Sequence, residues 1–200
     1  EAEALVLNMV DHPQGTLKVA ATVAFAKAQL LPLLPAFLAR NPDLKISLDA
    51  TDRVIDLVEE QVDVAIRFSE QIDDSSVVSR KLATNRRVYV AAPSYVAERG
   101  LPRTPDDVAN HNCLRISTVE AWNTWTFENG ADLRRLPIKG NFEANSADAI
   151  YYAVLAGVGI ARLSTYLVND ALAQGRLVRV LPDYADGLDE SARRPYLFVS

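Results

Sequence analysis

Histidine and cysteine are nearly missing from this chain, with two of the first and one of the second among 200 residues. The lone Cys113 excludes an internal disulfide and suits a reducing compartment, hence a cytoplasmic location. No HExxH or CxxC spacing occurs, so the sequence predicts neither a metal site nor a cofactor. Positive charge is also scarce: Lys plus Arg is 21 against 26 for Asp plus Glu, a net charge of −5. Such a segment lacks the basic face that gripping a phosphate backbone requires. Long apolar runs are interrupted by Lys27, Gln29 or Arg40, and no leader peptide is visible, so no membrane span is expected. Catalytic pairings are missing as well. His111 and Cys113 stand two apart, but no third residue orients them, so Cys113 reads as packing and the chain as no enzyme. Gly157-Val158-Gly159 follows a helical pattern and precedes a strand, the reverse of a dinucleotide fingerprint, and reads as a helix stop.

What is present is a hydrophobic content of 49%, enough for one large domain or two lobes. Residues 15–68 read as strand, helix, strand, helix, strand. Residues 17–21 are apolar and partly β-branched, and residues 25–40 carry apolar side chains at helical spacing, closed by Asn41-Pro42. Residues 45–49 alternate as a strand. From Asp52, the residues Val54, Ile55, Leu57, Val58 and Val62 form an apolar stripe that predicts a second helix, and residues 62–66 a third strand. Strands joined by helices run parallel and end on one edge, where ligands of open α/β sheets bind. Thr22, Thr51 and Arg67-Phe68-Ser69 follow the three strands, so two hydroxyls and a guanidinium are expected on one rim. Helix capping for the threonines, and pairing of Arg67 with Asp52 or Asp63, are the competing expectations.

Further along, strands are expected at 77–82, 87–92 and 113–116, with a short helix at 94–97 between the last two. A hairpin of 125–128 with 138–142 is expected about a broad loop at Asn129-Gly130. Trp122 and Trp125 are expected to pin that hairpin, and Arg86-Arg87 and Arg134-Arg135 to be solvated turns. Ser146 caps a helix over 147–156 that Gly157 ends, and 158–163 is a strand. Ser164 opens a helix ending near Ala173 and Gly175, followed by a strand over 176–181. Arg162 is a cation in an apolar strand, so its head either reaches a cleft or pairs with Asp170 or Asp148. The last strand, after a polar connector, is expected to return to the first sheet. Two crossings between lobes make a hinge with a cleft. The expected fold is therefore α/β, two Rossmann-like lobes with a central cleft and two crossover segments. Residues 15–85 with 189–200 form lobe I and 86–188 lobe II. Residues 1–14 read as the end of a longer helix, so the chain is expected to be a piece of a longer protein.

Several stretches resemble, in order and over nearly the whole chain, the effector-binding domain of LysR-type transcriptional regulators. They are Gly15-Thr-Leu-Lys-Val-Ala-Ala, Leu34-Pro35-Ala36-Phe37, Asn41-Pro42, Val62-Asp63-Val64-Ala65-Ile66-Arg67, Ala92-Pro93-Ser94-Tyr95, His111-Asn112-Cys113-Leu114 and Ala156-Gly157-Val158-Gly159-Ile160-Ala161. The resemblance implies a type II periplasmic-binding-protein-like fold, a small effector in the cleft, and self-association as a homodimer or tetramer. DNA would be bound only through an N-terminal domain absent from this chain. It also implies effector contacts at Thr22, Val23, Phe25, Thr51, Arg67, Phe68, Ser69, Asn145, Ser146 and Arg162, the last on the inner strand of the second lobe. Ser69 and Arg162-Leu163-Ser164 depart from the family pattern. Helix N-termini and Arg67 favour an anionic effector. The alternative is an extracytoplasmic solute-binding protein of the same fold.

Overall fold

The computed structural model describes residues 13–53, 55–57, 59–68, 78–83, 85–186 and 195–199. The helix expected over residues 1–10, and Ser69 with the loop around it, lie outside the described residues. Two compact units divide the chain: Glu1–Ala83 with Pro195–Ser200, and Thr84–Arg194.

The first unit opens with β1 (Gly15–Ala21), followed by α1 (Val23–Arg40), β2 (Leu44–Ala50), β3 (Val64–Phe68) and β4 (Val78–Lys81). β1 is the centre of the parallel part of the sheet. It pairs with β2 from Gly15 opposite Leu44 to Ala21 opposite Ala50, and with β3 from Val19 opposite Val64 to Ala21 opposite Ile66. Both faces are packed. Ala20 and Ala65 meet Val62 on one side, while Ala21 and Ile66 meet Ala26 on the other, as the strand alternation requires. The helix α1 is irregular: a π turn spans Ala26–Leu30, a 3-10 turn Leu31–Leu33, and regular helix resumes over Leu34–Arg40. Pro32 and Pro35 explain this, since each removes an N–H from the ladder and crowds the carbonyl one turn back. With a mean hydropathy of 1.3, α1 is long and apolar enough to cross a bilayer, which corrects the expectation that its polar residues prevent this. Connectivity excludes a span here, because the strands at its two ends are parallel hydrogen-bonded neighbours.

The helix expected from Asp52 is absent among the described residues. They form turns instead, closed by the Glu60 N–H to the Asp56 carbonyl at 3.1 Å and the Val62 N–H to the Leu57 carbonyl at 2.9 Å. The Asp56 carboxylate accepts the Glu59 N–H at 3.0 Å, offering the backbone a local partner that competes with helix. Ile55 and Leu57 still cover Ala20 and Ala65.

The second unit begins at β5 (Arg87–Ala91) and α2 (Pro93–Arg99), then runs through β6 (Arg115–Ile116), β7 (Thr124–Asn129), β8 (Asp132–Pro137), β9 (Glu143–Ala144), α3 (Ala147–Leu155), β10 (Ala161–Ser164), α4 (Thr165–Ala173), β11 (Val178–Arg179) and β12 (Ala185–Asp186). β5 is the axis of the unit, flanked by β10 and β11. Val88 and Val90 face one core with Ile150, Val154, Leu163 and Val168; Tyr89 and Ala91 face a second with Trp125, Phe127 and Ile160. Tyr89 stacks on Phe127 at 4.4 Å and leans on Trp125 at 5.2 Å. The hairpin is tighter than expected, since β7 pairs with β8 up to Asn129 opposite Asp132, with Gly130 at φ +58°. Its second strand, Asp132–Pro137, is an edge strand with Leu133 half exposed, so no apolar alternation announced it.

Gly157 and Gly159, which flank the turn after α3, are required by conformation and by space. Gly157 ends α3 at φ +81°, and a Cβ on Gly159 would run into the backbone carbonyl of Asn112. Finally, β13 (Pro195–Val199) enters the sheet of the first unit between β3 and β4, antiparallel to both.

Candidate functional site

The strand register of the first unit decides where its expected site residues stand. Ala21 lies opposite both Ala50 and Ile66, so Thr22, Thr51 and Arg67 are each the next residue along three adjacent parallel strands. All three emerge on one edge. Thr22 precedes α1 with extended backbone, and its carbonyl accepts the Ala26 N–H at 2.9 Å, but its hydroxyl caps nothing. The Thr22 Oγ1 is buried without a hydrogen-bond partner. The Thr51 N–H is fixed to the Ala21 carbonyl at 2.9 Å, while the Thr51 hydroxyl accepts the Arg53 N–H at 3.3 Å. Arg67 donates through Nη1 to the Thr51 carbonyl at 2.7 Å, and its Nη2 is buried and unpartnered. Burial holds the Arg67 pKa below its ordinary value, partly offset by Asp49, Asp52 and Glu60. Val23 is half-buried at the start of α1, and Phe25 meets Phe68 edge-to-face at 5.7 Å, giving the rim an aromatic flank.

Asp52, expected from the sequence as a partner for Arg67, also stands at this rim. The Oδ2 of Asp52 is a third buried polar atom without a hydrogen-bond partner. Its signal in the sequence is its place directly after Thr51, at the end of the second strand. Buried polar groups are almost always satisfied, so three orphans on one strand edge, an acceptor-donor hydroxyl, a guanidinium N–H and a carboxylate oxygen, describe an arrangement lacking a polar partner.

In the second unit, Ser146 caps α3 by accepting the Asp148 N–H at 3.2 Å, and Asn145 beside it is exposed. Arg162 departs from expectation. Its side chain is only 3% exposed, and it pairs with Asp186 at 3.5 Å and donates to the Trp122 carbonyl at 3.0 Å. Its acid partner is thus Asp186, where Asp170 or Asp148 was expected, and its guanidinium is enclosed. The expectation for Arg86-Arg87 is also corrected: Arg87 opens β5 and is no solvated turn, because its guanidinium lies 4.5 Å from the Trp122 ring. Trp125, fully buried, pins the hairpin. Cys113 is buried with its thiol pushed up to about 12 by desolvation, and the Tyr95 hydroxyl lies 3.1 Å from His111 Nδ1. Burial also lowers the His111 pKa. Among the described residues no cluster of His, Cys, Asp and Glu is arranged to hold a metal.

Comparison with known proteins gives this arrangement its relatives. A family model described as the LysR substrate binding domain matches residues 11–199. An HTH-type transcriptional regulator of Haemophilus influenzae is 33% identical over 184 residues, which cover 92% of this chain and 64% of that protein. CrgA of Neisseria meningitidis, also an HTH-type transcriptional regulator, is 34% identical over 182 residues, covering 91% and 60%. Among solved structures, the regulatory domain of CrgA superposes with a TM-score of 0.85 at 30% identity over 94% of this chain and 89% of that one. The chain spans 60–64% of the length of these two curated relatives. The relatives are transcriptional regulators, which leaves the solute-binding alternative without support from them. The two-lobe, periplasmic-binding-protein-like fold expected from the sequence is the fold of these regulatory domains. With the match running from residue 11 to residue 199, this chain belongs to the LysR substrate-binding domain family, the effector-binding domains of LysR-type transcriptional regulators.

Proposed function

We propose that this chain senses a small organic acid on behalf of a LysR-type transcription factor, and that the rim formed by Thr22, Thr51, Asp52 and Arg67 receives it. The observation that carries the reading is the set of orphaned polar atoms, Thr22 Oγ1, Asp52 Oδ2 and Arg67 Nη2, at the carboxyl edge of β1, β2 and β3. Arg67 supplies a charge-assisted donor for a carboxylate, and Asp52 has an open acceptor for a ligand hydroxyl or amide. A small hydroxy- or amino-acid satisfies both, whereas a simple fatty acid leaves Asp52 unmatched. Val23, Phe25 and Phe68 would contact the ligand's carbon skeleton. Asn145 and Ser146, and Ser69 outside the described residues, stand in the proposal on family resemblance alone.

The chain itself would perform no catalysis, and the enclosed, neutral Cys113 supports that. Membership of the family and the HTH-type relatives support the rest of the proposal. The whole protein would act in the cytoplasm, bind DNA through a helix-turn-helix domain outside this chain and assemble from two or four copies. Effector binding would bias one of two states of that assembly, which requires different affinities for the two.

Calorimetric titration with a panel of small acids, with and without a hydroxyl beside the carboxylate, tests the site. The expected outcome is binding of the hydroxylated members, weakened about tenfold or more by Thr22→Ala, Thr51→Val and Arg67→Ala, in line with the ~1.5–3 kcal/mol typical of a hydrogen bond to a charged group. Binding that all three variants leave unchanged would refute the residue assignment.

A further inference from the structure

The second unit holds a recess of about 570 Å³, within the size range of small-molecule sites. Arg86, Arg87 and Arg179 line it, together with Thr165 and Asn169 of α4 and with Asp186. Among the described residues, three arginines and one acid line it, and that acid, Asp186, also pairs with Arg162. Arg87 Nη1 is buried and has no hydrogen-bond partner, although the guanidinium stacks over Trp122. Burial and the neighbouring Arg162 lower the Arg87 pKa to about 10, with a partial offset from Asp186. A buried guanidinium N–H without a hydrogen-bond partner is costly, and an oxyanion is the group that its fork of donors fits.

We infer that this recess is a second ligand site, which takes a small oxyanion, a carboxylate or phosphoryl group, on Arg87 with Arg86 and Arg179 at its rim and Thr165 and Asn169 as neutral hydrogen-bonding partners. It does not depend on the Thr22–Thr51–Arg67 reading, because every residue lining it belongs to the second unit. Arg86 and Arg87 come directly after the chain enters that unit, and Asp186 stands shortly before it leaves.

Titration of the 200-residue chain with inorganic phosphate, with succinate and with uncharged succinamide, followed by tryptophan emission and by calorimetry, tests this. At least one anion is expected to bind and to change the emission, with succinamide inert. The stronger of the two anions identifies the chemistry. The emission change should vanish in Trp122→Phe. Affinity should fall tenfold or more in Arg87→Gln and severalfold in Arg179→Ala, whose exposed position keeps folding out of the result. Absence of binding by both anions, or binding unchanged in both Arg87→Gln and Arg179→Ala, would overturn the assignment.

Discussion

Arg162 interrupts a strand of apolar residues, and its guanidinium is matched by Asp186, 24 residues further along. The Tyr89 hydroxyl donates to the Thr126 carbonyl at 2.7 Å beside this pair, and burial together with Asp186 raises the Tyr89 pKa. Replacing one member of such a pair strands the other charge in low dielectric, while replacing both with apolar residues removes the problem. Arg162→Met is therefore expected to cost about 3–5 kcal/mol, and Arg162→Met with Asp186→Leu much less than that. Chemical denaturation midpoints of the two variants check it; equal losses would show that packing, not charge, dominates. The residue scale is also where the sequence was least explicit. Arg162 was recognisable as an anomaly, but its partner is set by the path of the chain between the two residues.

Among the elements, the turn after α3 shows why a short glycine motif matters without binding a phosphate. Gly157 supplies a left-handed backbone at φ +81°, and Gly159 lets Ile160 bridge to Cys113 while the Asn112 carbonyl passes over it. The Ile160 N–H donates to that same carbonyl at 2.9 Å, so the backbone cannot move away without losing the bond. Gly159→Ala is expected to lower the melting temperature by several degrees, a loss above about 1–3 kcal/mol as for overpacked core positions. An unchanged thermal transition in Gly159→Ala would show that the strand yields without cost. Helices and strands with strong periodicity were legible, as at α1, α3 and α4. The second strand of the hairpin was not, because an exposed edge strand carries no apolar alternation.

For the whole molecule, the apolar surface of α1 raises the question of what covers it. Leu33 is 66% exposed and Leu31 45%, on a helix whose two flanking strands hold it against the sheet rather than in a bilayer. Self-association of the kind proposed for this family gives those side chains a partner in a second copy. Leu33→Glu is expected to convert a dimer to a monomer in light scattering, with the circular dichroism spectrum unchanged. A variant that stays dimeric would remove α1 from the interface.

The sequence by itself determined the strand–helix–strand opening of the chain, the family likeness, and the edge on which Thr22, Thr51 and Arg67 emerge. Local periodicity and the parallel pairing of strands joined by a crossover leave little freedom there. Only the tertiary structure decided that Asp52 joins that rim, that Arg87 is enclosed over Trp122, and that Asp186 answers Arg162. Each of these depends on which distant segments share one desolvated space, and burial of a polar atom is a property of the packed whole that no local pattern encodes.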